Sequence, residues 1–186
     1  MYIQNTIKKY LDDLAAKLST PGGGSVAALI GALGTGLLSM VCNFTIGKQR
    51  YQDVETTIKD ILSQSERARF RLMELVDLDV EAYKSKDLQN SLYVPLEVCR
   101  ISHELAKACT VLAEKGNVNL ISDIGCAYDC FLASFNSARR NVEVNLLSLE
   151  HLDRRRAIEK ELDALEASIK SIGPSVEELI GKIIRR

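Results

Sequence analysis

Thr20-Pro21-Gly22-Gly23-Gly24-Ser25 opens onto VAALIGALGTGLLSMVCNFTI, residues 26–46, a stretch without a charged side chain. Pro21 cannot continue a hydrogen-bonded helix and three successive glycines carry little helical preference. The chain therefore breaks there, and a helix is predicted from about Ser25 to Asn43 or Ile46. Within it Gly24, Ala28, Ala32 and Gly36 fall four apart, as do Ala27, Gly31, Thr35 and Ser39. Residues four apart share a helix face, so a wide side of this helix lacks bulk and another backbone can approach it closely. By length alone the stretch could span a bilayer. Its three glycines, Asn43, the missing aromatic belt and the charged amphipathic segment before it point instead to the core of a bundle, with no membrane partner.

The flanking segments carry helical periodicity. Ile3, Ile7, Leu11, Leu14 and Leu18 recur at three- and four-residue steps before the glycine run. After it, Val54, Ile58, Ile61, Leu62, Ser65, Ala68, Leu72, Leu75 and Val76 form one long stripe, which continues through Asp79 to Ala82 and Tyr83. A fourth helix is expected to start near Val94-Pro95, where proline suits a first turn, and to stop at Gly116-Asn117. A fifth runs from about Asn119–Asp123 towards Leu149. A sixth ends before Gly173-Pro174, with Ser175 capping a short tail helix. With no alternating strand pattern, no repeat and no linker, the expectation is a single all-α domain over residues 1–186. It is an up-and-down bundle of about five or six long helices, dimer-forming because its uncharged helix is hard to bury within one subunit.

Bulk properties exclude several function classes. A formal net charge of -1 gives no global field to attract nucleic acid or an anionic membrane. The five cysteines, Cys42, Cys99, Cys109, Cys126 and Cys130, include no C-x-x-C pair and follow no secretory leader, which reads as reduced thiols in a cytoplasmic protein. Cys126 and Cys130 have no nearby histidine to complete a zinc set.

The glycine run fails the specific tests for a nucleotide cradle. Gly47-Lys48 is preceded by Cys42 where the first glycine of G-x-x-x-x-G-K-[ST] should stand and is followed by Gln49. Gly34-Thr35-Gly36 lacks the third glycine and the preceding strand of a dinucleotide fingerprint. Two readings stand: amides that receive a carboxylate or a polar heterocycle edge, or a tight turn with close packing. Asp79 lies on a core stripe, where a carboxylate must be paired, neutralised or functional; a solvated helix end is the alternative. Asp123 suits a helix first turn. Lys48 could reach an anion or supply a proton, or be simply solvated. His103 and His151 lie off the apolar stripes, so no Ser-His-Asp or Cys-His arrangement is indicated.

Together these pieces resemble the cyclodeaminase/cyclohydrolase family. The resemblance is carried by Thr20-Pro-Gly-Gly-Gly-Ser-Val-Ala-Ala28, Asn43-Phe-Thr-Ile-Gly-Lys48 with Tyr51, Asp79 with Glu81-Ala82, Val94-Pro95-Leu96, Gly116-Asn117, Ile121-Ser122-Asp123, Asn141 and Asn145. It implies an all-helical homodimer that binds a reduced folate and needs no metal and no cofactor beyond that substrate. It also implies a one-carbon enzyme, a cyclodeaminase that closes formiminotetrahydrofolate to the methenyl form with loss of ammonia, placed slightly ahead of a cyclohydrolase that opens the methenyl ring. A helical folate-binding scaffold is the reading from another class. Asp79, Asp123 and Lys48 are the expected catalytic set. Thr20, Gly22, Gly23, Gly24, Ser25, Asn43 and Ser122 are the expected substrate contacts. One departure is plain: the family often carries a longer connection with Leu-Pro-Lys where this chain has only Lys84 to Leu92.

Overall fold

A computed structural model describes residues 1–184. Within these, six α-helices follow in chain order: α1 (Ile7–Ala15), α2 (Gly23–Asn43), α3 (Glu55–Ser85), α4 (Leu88–Lys115), α5 (Ile121–Leu146) and α6 (Leu152–Ile184). Short 3-10 turns occupy Tyr2–Gln4, Gln49–Val54 and Val118–Leu120. Among the described residues there is no strand.

The uncharged helix is the axis of the bundle. α3, α4 and α5 pack around α2, and α6 closes the outer side of α4 and α5. Although α2 is long and apolar enough by composition to cross a membrane, 61% of its most apolar window is buried inside the chain. Its small residues permit that burial. A Cβ on Gly31 would meet Ser134 Oγ at 2.9 Å, and one on Gly34 would meet Cys130 Cβ at the same distance. α5 therefore lies against the α2 backbone, antiparallel to it. Ser134 Oγ donates to Ala27 O at 2.8 Å and accepts from Ser102 Oγ at 2.9 Å, tying α2, α5 and α4 by a fully buried chain of polar groups. Such a chain holds one register, because slipping it would strand buried donors.

Pro95 and Pro174 lie inside helices rather than at their boundaries. α4 starts at Leu88, capped by Asp87, whose carboxylate accepts the Asn90 amide at 3.0 Å. Pro95 thus falls about two turns further in than the first-turn position expected of it. Proline lacks an N–H and frees the carbonyl four residues earlier. That carbonyl belongs to Ser91, and Asn145 Nδ2 on α5 donates to it at 2.6 Å. α6 likewise runs through Pro174 without a separate tail helix, and beside it Tyr128 Oη donates to Ile169 O at 2.9 Å. Packing against α4 and α5 thus holds a helix that local propensity would break.

Two further expectations are corrected. The apolar stripe of the first segment does not face the core: Ile7 and Leu11 of α1 are 79% and 53% exposed, and Tyr10 is the buried residue of that helix. His103 is buried, with Nε2 at 2.9 Å from Ser168 Oγ, because α6 covers a second face of α4.

The repair of the Pro95 gap is directly testable. Asn145→Ala leaves the Ser91 carbonyl without its donor and is expected to lower unfolding stability by about 1–3 kcal/mol in urea titration. Asn145→Asp, which cannot donate when ionised, is expected to cost at least as much.

Candidate functional site

The break at Ser19–Gly22 delivers the start of α2 to the end of α3. Gly22 caps the helix with extended backbone, and Val26 N makes the first intrahelical bond to Gly22 O at 3.0 Å. The amides of Gly23, Gly24 and Ser25 precede that ladder. Ser25 N donates to Asp79 Oδ2 at 2.9 Å, across from α3. Here only glycine fits at 24, because a Cβ would overlap the Asp79 carboxylate. The reading of the glycine run as a tight, closely packed turn is therefore correct for Gly24, and what packs against it is the functional candidate itself.

The surroundings of Asp79 are drier than a helix end. Tyr10 from α1 is buried, with Oη at 3.0 Å from Ser25 Oγ. Thr20 is also buried, and its bond to Pro21 is cis. Burial pushes the Asp79 carboxyl above its ordinary value, partly offset by the Ser25 amide. Burial likewise raises Tyr10. A carboxyl tuned upward gives and takes protons nearer neutrality than a solvated one. Asn141 of α5 stands over the loop, with Nδ2 3.3 Å from where a Gly23 Cβ would sit.

Two residues of this end were not singled out in the sequence. Asp77 is 4% exposed, and its carboxylate accepts the backbone amides of Tyr2 and Ile3, the latter at 3.3 Å. It fastens the N-terminal segment over the end of α3. Between that segment and α3 lies a cavity of about 310 Å³ lined by Tyr2, Lys9, Asp13, Asp77, Glu81 and Lys84, among others. Neither Asp77 nor Tyr10 had a usable signal, since both contacts join residues distant in sequence.

The remaining expected residues sit elsewhere. Asn43 and Lys48 are exposed at the far end of α2, and Ser122 and Asp123 begin α5 at that same end. Thr45 and Gly47 of the Asn-x-Thr-x-Gly-Lys motif are structural. Thr45 Oγ1 accepts Asn117 N at 3.0 Å, Asn117 Nδ2 donates to Phe44 O at 3.0 Å, and Gly47 adopts φ +77°. Lys48 borders an open cavity of about 380 Å³ with Gln49, Gln52 and Glu55. Eighteen residues separate Ser25 from Asn43, roughly 27 Å of helix. Asp79, Asp123 and Lys48, expected as one constellation, are therefore not brought together within one chain. The Lys84–Leu92 connection is a tight turn through Lys86 at φ 56°, and Lys84 lines the cavity beside Asp77.

Other chemistries lack a constellation. Burial pushes the Cys42 and Cys99 thiols up to about 12, which leaves them protonated and unreactive. Among the described residues, no three His, Cys, Asp or Glu side chains converge to hold a metal ion.

Fold and site define an all-α bundle whose central uncharged helix begins, at a glycine run, on a half-buried carboxylate. A sequence profile of the formiminotransferase-cyclodeaminase family matches residues 6–86 and 84–164. The methenyltetrahydrofolate cyclohydrolase of Methylorubrum extorquens is 38% identical over 200 aligned residues, covering 94% of this chain and 95% of that protein. The formimidoyltransferase-cyclodeaminase of Rattus norvegicus is 27% identical over 76% of this chain but 30% of its own length, so this chain matches under a third of that relative. The crystal structure of formiminotetrahydrofolate cyclodeaminase from Thermotoga maritima superposes with a TM-score of 0.93 at 32% identity, covering 99% of this chain and all of that one. The chain belongs to the formiminotransferase-cyclodeaminase family.

Gly24→Ala must push the Asp79 carboxylate away from the Ser25 amide. Loss of the family reaction by at least tenfold, about 1.4 kcal/mol of barrier, is expected with the helical circular dichroism spectrum unchanged. Full activity in the Gly24→Ala variant would show that the Gly24–Asp79 contact is dispensable.

Proposed function

We propose that this chain is a folate one-carbon enzyme that hydrolyses methenyltetrahydrofolate to the formyl derivative. The observation that carries this reading is the end-to-end match, at 38% identity, to a relative named for that reaction. It reverses the order drawn from the resemblance, which placed cyclodeamination first. Ring closure of formiminotetrahydrofolate is kept as the second reading because the superposed Thermotoga maritima protein is named for that activity.

Both reactions pass through a tetrahedral carbon between two folate nitrogens. In the hydrolysis, water adds its oxygen to the methenyl carbon and loses a proton. The bond from that carbon to one ring nitrogen then breaks, and the nitrogen takes up a proton. Asp79 is suited to both transfers, since its carboxyl is half-buried and tuned upward. Its negative form also stabilises the cationic methenyl group. The Gly23 and Gly24 amides, with Thr20 and Ser25 around them, present donors to the polar pterin edge or the glutamate tail. Lys48, Asn43, Ser122 and Asp123 serve the opposite end of the ligand or a neighbouring subunit's site. We assign no metal and no cofactor besides the folate, and place the enzyme in the cytoplasm as a homodimer.

Purified protein offered methenyltetrahydrofolate is expected to make the methenyl absorbance fall faster than in buffer. With formiminotetrahydrofolate, a rise would favour the second reading. No change with either substrate, and no folate binding by calorimetry, would leave a scaffold. Asp79→Asn is expected to cut turnover at least tenfold. Its effect on stability has the opposite sign. The folded-state value of Asp79 lies above the ordinary 3.8, so the native chain holds that proton more tightly than the unfolded one. Stability is therefore lost as pH rises through the window above 3.8. Asp79→Asn escapes that loss, so at pH 7 it should melt no lower than wild type while being the slower enzyme.

A further inference from the structure

Asp77 and Asp79 leave α3 two residues apart, hence about 200° apart around the helix. Asp79 turns to the start of α2, where its carboxylate meets the Ser25 amide. Asp77 turns to the N-terminal segment, and both of its oxygens are taken by main-chain amides, Oδ1 by that of Tyr2 and Oδ2 by that of Ile3. Buried and committed in this way, it is not free to move a proton. We propose that Asp77 is a positioning residue for Asp79: by fastening residues 1–15 to α3 it holds Tyr10 against Ser25 and keeps water from the carboxyl that carries the folate chemistry. The chemistry in this statement rests on the folate reading above; the positioning does not.

The link between the two carboxylates runs contact by contact through the N-terminal segment. The ring of Tyr2, whose amide Asp77 accepts, meets the Tyr10 ring edge-on with centroids 5.4 Å apart. Tyr2 Oη also donates to Asp13 Oδ2 at 3.0 Å, which joins the 3-10 turn to α1 a second time. Tyr10 Oη lies 3.0 Å from Ser25 Oγ, and Ser25 is the residue whose amide Asp79 accepts. The anchor is needed because α1 holds on poorly by itself. It has nine residues, too few to persist on helix propensity alone, and Tyr10 is the one it buries. Beside the anchor, the cavity of about 310 Å³ is lined largely by polar side chains, Lys9, Asp13, Glu81 and Lys84 among them, and gives the segment little apolar surface to rest on. The titratable groups at this end are Tyr2, Lys9, Tyr10 and Asp13 of the N-terminal segment and Asp77, Glu81 and Lys84 of α3. α2 brings no charged side chain, and α5 brings Asn141. Burial is what raises Asp79, against the opposing Ser25 amide. Dryness is therefore the quantity the anchor controls.

Two variants test this from opposite sides. Asp77→Asn replaces one acceptor oxygen with an NH2 group that faces an amide donor. Ile3→Pro removes the Ile3 amide hydrogen but leaves the Asp77 charge in place, and proline is tolerated in a first turn. Asp79 is followed by carbon-13 NMR, and hydrolysis of methenyltetrahydrofolate is followed against pH. In both variants Asp79 is expected to titrate nearer 3.8 than in wild type, with the acid limb of the rate profile moving to lower pH alongside it. Turnover at neutral pH is expected to fall about three- to tenfold with the helical circular dichroism spectrum unchanged, since the carboxyl is still present but wetter. An Asp79 that titrates in both variants as it does in wild type would overturn the positioning. So would a shift in Asp77→Asn alone, because loss of a neighbouring charge would then account for it. If Asp77→Asn fails to fold, the Ile3→Pro titration decides by itself. Wild type inert towards both folates, with Asp79 shifted in both variants, would instead refute the folate reading and leave the positioning standing.

Discussion

Asp79 Oδ2 accepts the Ser25 amide at 2.9 Å, and the architecture around that bond can be followed outward from it. The carboxylate reaches the amide only because position 24 has no side chain. It remains half-buried because α1 sets Tyr10 against Ser25 and because α2 continues inward without a charge. Ser25 is completely buried, so its amide, left outside the helical ladder, needs an acceptor that water does not supply. Asp79 serves as that acceptor while keeping its second oxygen over Gly24. A carboxylate fixed in this way is held in place before any ligand arrives, as the catalytic role proposed for Asp79 requires.

The same accounting of backbone groups explains features that look anomalous in isolation. Pro95 removes a donor within α4, and Asn145 of α5 donates to the carbonyl left over. Asn117 fills two needs at the other end of α2, donating its backbone amide to Thr45 Oγ1 and its side-chain amide to Phe44 O. Several residues that carry the family resemblance thus work for the scaffold, which places the glycine loop and the Lys48 turn at opposite ends of one rigid helix.

Much of this was legible in the sequence. The uncharged, small-residue stretch marked the central helix, and the α3 stripe carried on to Asp79 and showed it to lie inward. Periodicity misjudged α1, whose apolar stripe faces out, because amphipathicity reveals a face and not what covers it. It also misplaced the proline boundaries, because packing and side-chain donors override a local breaker. Asp77 and Tyr10 were invisible because their partners lie 75 and 15 residues away. The grouping of Asp79 with Asp123 and Lys48 came from the resemblance, and chain order says nothing of the helix length that separates them.

The raised carboxyl of Asp79 is the point on which both the chemistry and the packing converge. Its titration can be followed directly by carbon-13 NMR of the aspartate carboxyls, with Asp79→Asn identifying the resonance. Titration clearly above the ordinary 3.8 is expected, returning towards that value when Tyr10 is truncated and water gains access. An Asp79 that titrates at or below 3.8 in the intact protein would contradict the account, because it would describe a solvated or ion-paired helix-end carboxylate in place of a desolvated, proton-transferring one.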